Sequence, residues 1–266
     1  RHAGGGRAAV SARRATVALA AVLAAAAPAH AKPPTPAELV QRAVDQMLFR
    51  ARGAEMTMRL TLRGKGGDVR TRQLYSKSRM IDGQSRALVR FLAPSEVAGT
   101  AFLFLERKGG ADEQHMYLPA LKIVRRIAGE QKRASFMGSD FTYADLQWSD
   151  LGGAACARAG QEKIGGHPCV IVDCTPPRRD VYARLRAFVR AADGAPVRFE
   201  FYDARAELAK TLFVKELKPV AGAPMATALR MLNHRTGGST ELVIERVTVR
   251  DDLPASDFTV EALRPR

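Results

Sequence analysis

The stretch Glu55-Met56-Thr57-Met58-Arg59-Leu60-Thr61-Leu62 decides the fold class. Every apolar residue falls on an even position and every polar residue on an odd one, so the two sets point to opposite faces of an extended chain. This is the pattern of an antiparallel strand with one covered face and one wet face. Upstream the period changes. Thr35 is placed to cap a helix, Pro36 suits its first position and Glu38 completes a capping box. Leu39, Val40, Ala43, Val44, Met47 and Leu48 then recur at helical spacing, which predicts an amphipathic helix over 36–50.

Downstream the strand pattern repeats. Gly64-Lys65-Gly66-Gly67 predicts a turn, and strands are expected over 69–78, 86–91, 101–105, 114–118 and 122–127. The second half adds 156–163, 169–175, 183–190, 197–202, 209–217, 225–234 and 240–250. Apart from the 36–50 segment, only a short run near 143–147 looks helical. About a dozen strands joined by short turns predict a mainly β fold with one strongly curved antiparallel sheet, an incomplete β-barrel carrying a helical lid. So much sheet with so little helix to cover it leaves an apolar interior suited to a ligand.

The N-terminus sets the expected compartment. Arg7, Arg13 and Arg14 precede the apolar run Val17–Ala27, followed by Pro28 and Ala29-His30-Ala31. A basic flank, a short apolar core and a small-x-small site predict a cleavable signal peptide over 1–31 and export to the periplasm. The run is too short and alanine-rich for a membrane span, which needs roughly 20 apolar residues. Removing 31 residues from 266 leaves a single expected domain over 32–266. Residues 1–31 carry four arginines and no acid, so the net charge of +15 becomes +11. For an exported protein the available polyanions are lipid headgroups and envelope polymers, so an anionic amphiphile is expected and nucleic acid is not.

Cys156, Cys169 and Cys174 lie close in sequence, and export permits a disulfide. Cys169 and Cys174 sit roughly 16 Å apart along one strand and cannot pair without a bend. If Gly165-Gly166 turns a hairpin, Cys156 comes opposite Cys174, which predicts that bond with Cys169 buried; three buried free thiols is the alternative. Metal and cofactor are not expected, because no Cys-x-x-Cys or histidine cluster is present.

The stretch from Met116 to Leu146 is the densest departure from ordinary composition. Met137-Gly138-Ser139-Asp140-Phe141 lacks the flanking glycines of a nucleophile elbow, and a turn serine is the plainer reading. Asp140 and Asp145 are five apart, and a turn aspartate with a helix-start or salt-bridged acid is favoured over a catalytic pair. His115, His167 and His234 are isolated in sequence. An enzyme is not expected. Binding fits better. Met56, Met58, Leu60 and Leu62 form a pliant apolar stripe. Phe102 and Phe104 lie on a strand apolar on both faces, and Val197, Phe199 and Phe201 alternate with polar neighbours. All nine are expected to line a cavity. Basic residues gather at Lys122, Arg125, Arg126, Lys132 and Arg133, and again at Arg178, Arg179, Arg184, Arg186 and Arg190. Arg125 and Arg126 are the expected headgroup-facing cations.

Several spaced blocks together resemble a known family. These are Arg90-Phe91-Leu92-Ala93-Pro94 with Gly99-Thr100-Ala101-Phe102-Leu103, Tyr117-Leu118-Pro119-Ala120-Leu121, Arg125-Arg126-Ile127 and Phe136-Met137-Gly138-Ser139-Asp140-Phe141. Asn233-His234, Thr240-Glu241-Leu242 and Asp257-Phe258-Thr259 extend the match. The chain resembles the outer membrane lipoprotein-sorting protein family, a LolA-like branch of periplasmic carriers. The resemblance implies an unclosed barrel whose lid covers a cavity for lipid or lipoprotein acyl chains moved toward the outer membrane. It implies an inner-membrane exporter and an outer-membrane acceptor as partners, and a monomer. The tryptophan usual beside Tyr-Leu-Pro is replaced by His115 or Met116, and the single tryptophan is Trp148. No lid-locking arginine is matched. The alternative function is an envelope sensor or scaffold that uses the same fold to bind a membrane partner.

Overall fold

The computed structural model describes residues 33–50, 52–107, 112–146, 153–177 and 181–265. The expected signal peptide, Trp148, Arg178 and Arg179 lie outside the described residues. From Pro34 onward the described residues form one compact unit.

One helix, α1 (Pro36–Leu48), precedes the strands β1 (Ala54–Arg63), β2 (Val69–Ile81), β3 (Gln84–Ala93), β4 (Ala101–Leu105), β5 (Glu113–Leu118) and β6 (Ile123–Ile127). The second half supplies β7 (Ala155–Ile164), β8 (His167–Thr175), β9 (Arg184–Arg190), β10 (Pro196–Tyr202), β11 (Leu208–Val220), β12 (Ala223–Asn233) and β13 (Ser239–Val249). All thirteen join one antiparallel sheet in the order β6-β5-β4-β3-β2-β1-β13-β12-β11-β10-β9-β8-β7. Pairing of β1 with β13 makes the meander continuous. The sheet is not closed: its two edges are β6 and β7, consecutive strands that do not pair. Shifts of register in β1/β13 and β11/β12 are bulges of the kind that bend strands and add twist.

The period-two stretch is β1. Met56, Met58, Leu60 and Leu62 are buried on the inner face, while Arg59 and Arg63 are exposed. The helix starts as expected, with Thr35 Oγ1 accepting from Glu38 N–H and Glu38 accepting from Thr35 N–H. It stops at Leu48, two residues short of the expected end, because Phe49 turns into the left-handed region at φ 50°. There the Phe49 ring is buried while its N–H still caps the Asp45 carbonyl. α1 lies across the inner face of β7–β10 and β12, burying Leu39, Val40, Ala43, Val44 and Met47. The helical run expected near 143–147 is a single 3-10 turn, Ala144–Leu146, within the described residues.

The outer face is covered in one place. All five residues of β4 are buried: Phe102 and Phe104 face the inner core, and Ala101, Leu103 and Leu105 face a second cluster with Leu253, Phe258 and Leu263. Two 3-10 turns, Ala255–Phe258 and Glu261–Leu263, form this outer strap. Lys77 Nζ reaches Asp257 at 2.7 Å, and Arg90 Nη2 donates to the carbonyls of Ala262 and Leu263 at 3.2 and 3.1 Å. At the other end of the sheet the edge strand β7 is almost wholly exposed. Cys156 on β7 stands directly opposite Cys174 on β8 and is bonded to it across a Cα–Cα distance of 4.1 Å, while Cys169 is a buried free thiol.

Candidate functional site

The inner face is covered by two different bodies. α1 takes the β7–β12 half, and the segment after β6 takes the other. Within that segment Ser135 and Thr142 form a bridge, and Phe136 N–H donates to the Phe141 carbonyl at 2.7 Å, closing a small loop. Met137 and Gly138, at φ 52° and 77°, make its tight reversal. Phe136 is driven into the barrel, with its ring 4.9 Å from Phe102 and 5.6 Å from Phe91. Tyr143 closes the cluster at 5.7 Å from Phe136. The Asp140 carboxylate accepts from Thr240 Oγ1 at 2.8 Å, which ties this plug to β13. The Ser139 hydroxyl is buried and donates to the Phe136 carbonyl at 2.7 Å, so it serves the turn.

Asp145 anchors the plug on the far side. Its side chain is fully buried and accepts from Lys210 Nζ, Tyr182 Oη and Thr142 N–H, each at 2.7 Å. Burial, then the Asp145 charge beside it, push the Tyr182 hydroxyl well above its ordinary value, which keeps it a donor. Three donors around one carboxylate satisfy a buried charge that would otherwise be costly.

Between α1, the plug and the sheet lies a cavity of about 220 Å³. Met56, Met58 and Leu60 of β1, Leu74 of β2 and Phe104 of β4 form one side. Leu212, Met225, Leu229, Leu242 and Ile244 form the other, with Met47 and Leu48 of α1 and Phe136 and Phe141 of the plug above. The lining turns polar at the end where β2 finishes and β3 begins, where Ser76, Ser78, Ser85 and Glu106 face Arg50 at the foot of α1. The Arg50 side chain is 12% exposed; its nearest carboxylates are Glu106 at 3.6 Å and Asp45 at 3.8 Å.

The nine residues expected to line a cavity separate into two groups. Met56, Met58, Leu60 and Phe104 line it. Leu62, Phe102, Phe199 and Phe201 are buried in the surrounding core, and Val197 is half-buried. Phe102 is occupied by the plug, and Phe201 packs on Tyr182 at 5.0 Å. Arg125 and Arg126 are exposed on the edge strand β6, away from the cavity. Arg184 and Arg186 of β9 converge on Asp173 of β8 at 3.1 and 2.7 Å and hold those strands together, while Arg190 pairs with Asp193 of the following turn at 2.6 Å. The cationic residue of the cavity is Arg50, which stood out neither by motif nor by charge clustering.

Other chemistry is sparse. His115 Nε2 lies 3.3 Å from Glu113 and His234 Nε2 2.9 Å from Thr211, while His167 is exposed at the β7–β8 turn. Among the described residues no group of three or more His, Cys, Asp or Glu gathers to hold a metal, and no helix is long and apolar enough to cross a membrane.

A family model described only as that of an uncharacterized protein matches residues 83–265. No curated protein matches. A crystal structure described as an outer membrane lipoprotein-sorting protein domain from Vibrio parahaemolyticus is 31% identical. It aligns over 86% of this chain and 97% of that one, with a TM-score of 0.79. A DUF1329 family protein from Desulfovibrio piger is 27% identical over 87% of this chain and 100% of that one, also at 0.79. A LolA superfamily protein from Nitrosomonas europaea shares the fold at 17% identity, a TM-score of 0.71 and coverage of 86% and 99%. With the unclosed thirteen-stranded sheet, its inner helix and an identity of 31% to the Vibrio domain, the chain belongs to the outer membrane lipoprotein-sorting protein family.

Proposed function

We propose that this chain is a periplasmic carrier that takes lipid or lipoprotein acyl chains into its inner cavity for delivery toward the outer membrane. The observation that carries this reading is the cavity itself. Three of its wall residues are methionines of β1 and β12, Met56, Met58 and Met225, side chains that adapt to chains of irregular shape. Similarity to the Vibrio domain, described as lipoprotein-sorting, supports the same reading.

The energetics are those of transfer from water. Each buried methylene contributes roughly 0.8 kcal/mol, so a few turns of alkyl chain give useful affinity with no covalent step. A cavity of about 220 Å³ exceeds the ~150 Å³ apolar void that admits benzene. It suits part of one chain; a larger load requires α1 or the plug to move. Residues 1–31 act in this reading as the export signal and 32–266 as the carrier domain, a monomer that needs no cofactor. An inner-membrane exporter loads it and an outer-membrane acceptor with a competing apolar site unloads it. Arg125 and Arg126 on β6, near exposed Ile123 and the turn residue Leu121, are then contacts for anionic headgroups at those membranes.

Native mass spectrometry of protein released gently from the envelope tests this, paired with displacement of an apolar fluorescent dye by phospholipid or lipopeptide. Bound lipid and displacement are expected. Absence of both overturns the carrier reading and leaves the sensor or scaffold, whose sign is a strong crosslink to a membrane protein without lipid.

A further inference from the structure

Arg50 is in an unusual state for a guanidinium so little exposed. Its Nε is buried and meets no hydrogen-bond partner in the protein, and its two ion pairs, at 3.6 and 3.8 Å, are too long for hydrogen bonds. Across the polar end of the cavity Ser78 Oγ is likewise buried with no partner. A guanidinium N–H and a hydroxyl left without acceptors inside a protein cost free energy, and an oxyanion is the group that best relieves both.

The neighbouring acids do not compete for this role. Glu106 is held in place by its own contacts, accepting from Ser85 N–H at 2.8 Å and donating its backbone N–H to the Ser85 carbonyl at 2.9 Å. Asp45 is 42% exposed and accepts from Gln41 at 2.8 Å. Neither approaches Arg50 closely enough to form the bidentate contact, about 2.7–2.9 Å, that a carboxylate or phosphate makes when it is free to do so. Apart from Asp145, whose carboxylate is already paired with Lys210 and Tyr182, the rest of the lining is apolar, which suits a single chain with a single head.

We infer that the Arg50–Ser78 end of the cavity binds the oxyanion head, a carboxylate or a phosphate monoester, of a single-chain amphiphile. Its alkyl chain lies along Met56, Met58 and Leu60. This rests on the carrier reading and deepens it by naming the class of ligand. Arg50 Nε–H and Ser78 Oγ–H donate to the head, and β1 accepts the chain.

Isothermal titration with decanoate, decyl phosphate, decanol and inorganic phosphate separates the parts. In the unaltered protein at least one of the two anionic amphiphiles is expected to bind about ten- to a hundred-fold more tightly than decanol, the range for hydrogen bonds to a charged group. The tighter of the two identifies the head. Arg50→Met is expected to abolish that preference, with thermal unfolding of the same sample reporting that the variant is folded. Ser78→Ala reduces the preference a few-fold. Equal binding of decanol and both anions, a preference that survives Arg50→Met, or inorganic phosphate binding as tightly as the amphiphiles overturns the inference. In each of these the carrier reading stands if decanol binds. If none of the alkyl compounds binds, both fall.

Discussion

Lys210 Nζ lies 2.7 Å from the Asp145 carboxylate, and this contact joins β11 to the end of the plug. The two side chains are 9% and 0% exposed. Removing one partner of such a pair strands a buried charge and costs about 3–5 kcal/mol. Lys210→Met is therefore expected to destabilise strongly. Asp145→Asn in the Lys210→Met background removes the stranded charge and recovers part of the loss. Urea unfolding of the two single variants and the double measures the coupling; additive losses would refute it.

Cavity occupancy has its own test. Leu229 is half-buried and lines the cavity from β12, so Leu229→Trp fills space that a ligand would use. Apolar dye affinity is expected to fall at least about tenfold, while the stability change stays within the roughly 1–3 kcal/mol typical of overpacking. Dye titration and thermal unfolding on the same sample separate blocked binding from misfolding.

The outer strap contributes stability and not ligand contact. Phe258 is 1% exposed and packs against the outer side of β4, across the sheet from the cavity. Phe258→Ala is expected to cost about 3–5 kcal/mol and to leave dye affinity unchanged under native conditions. A loss of affinity without a loss of stability would contradict this division of labour.

The Cys156–Cys174 bond closes a loop between residues 18 apart and fastens an edge strand with little burial of its own. Chain-entropy arguments give about 3 kcal/mol for a loop of this size. Cys156→Ser with Cys174→Ser is expected to lose about that much, and hydrogen exchange should rise first in β7. Uniform exchange across the sheet would argue against local anchoring.

Asp173 gives a pH dependence. The Arg186 guanidinium bonded to it, with further help from Arg184, outweighs burial and holds its carboxyl below the usual value. A carboxyl with a depressed folded-state value binds its proton more readily when unfolded. Its contribution is thus present above about pH 4 and lost as the pH falls below it. Asp173→Asn should lower stability at neutral pH and flatten the acid limb of the stability profile, measured by denaturant melts between pH 2 and 7 in the terms of that linkage.

Much of the architecture was legible in the chain. β1 announced itself because a strand with one wet face must alternate, and α1 because Thr35, Pro36 and Glu38 satisfy the free amides of a helix start. The doubly apolar β4 signalled two covered faces, and the strap that covers its outer side is built from the short C-terminal segment. The site was less legible. Met56 and Phe199 look alike as buried apolar residues in alternating strands, yet only Met56 faces the cavity, because α1 and its packed neighbours fill the other half of the barrel. Arg50 gave no sign at all. It is one basic residue after a helix, and its importance comes from Phe49, whose left-handed turn swings the chain so that the guanidinium meets the end of β2.

The order of the sheet carries a mechanical consequence. The two edges of the sheet, β6 and β7, follow one another along the chain. The connection between them carries Phe136 into the barrel and Asp145 onto Lys210. The chain between the two edges is thus fastened to both halves of the sheet, at Phe102 of β4 and at Lys210 of β11.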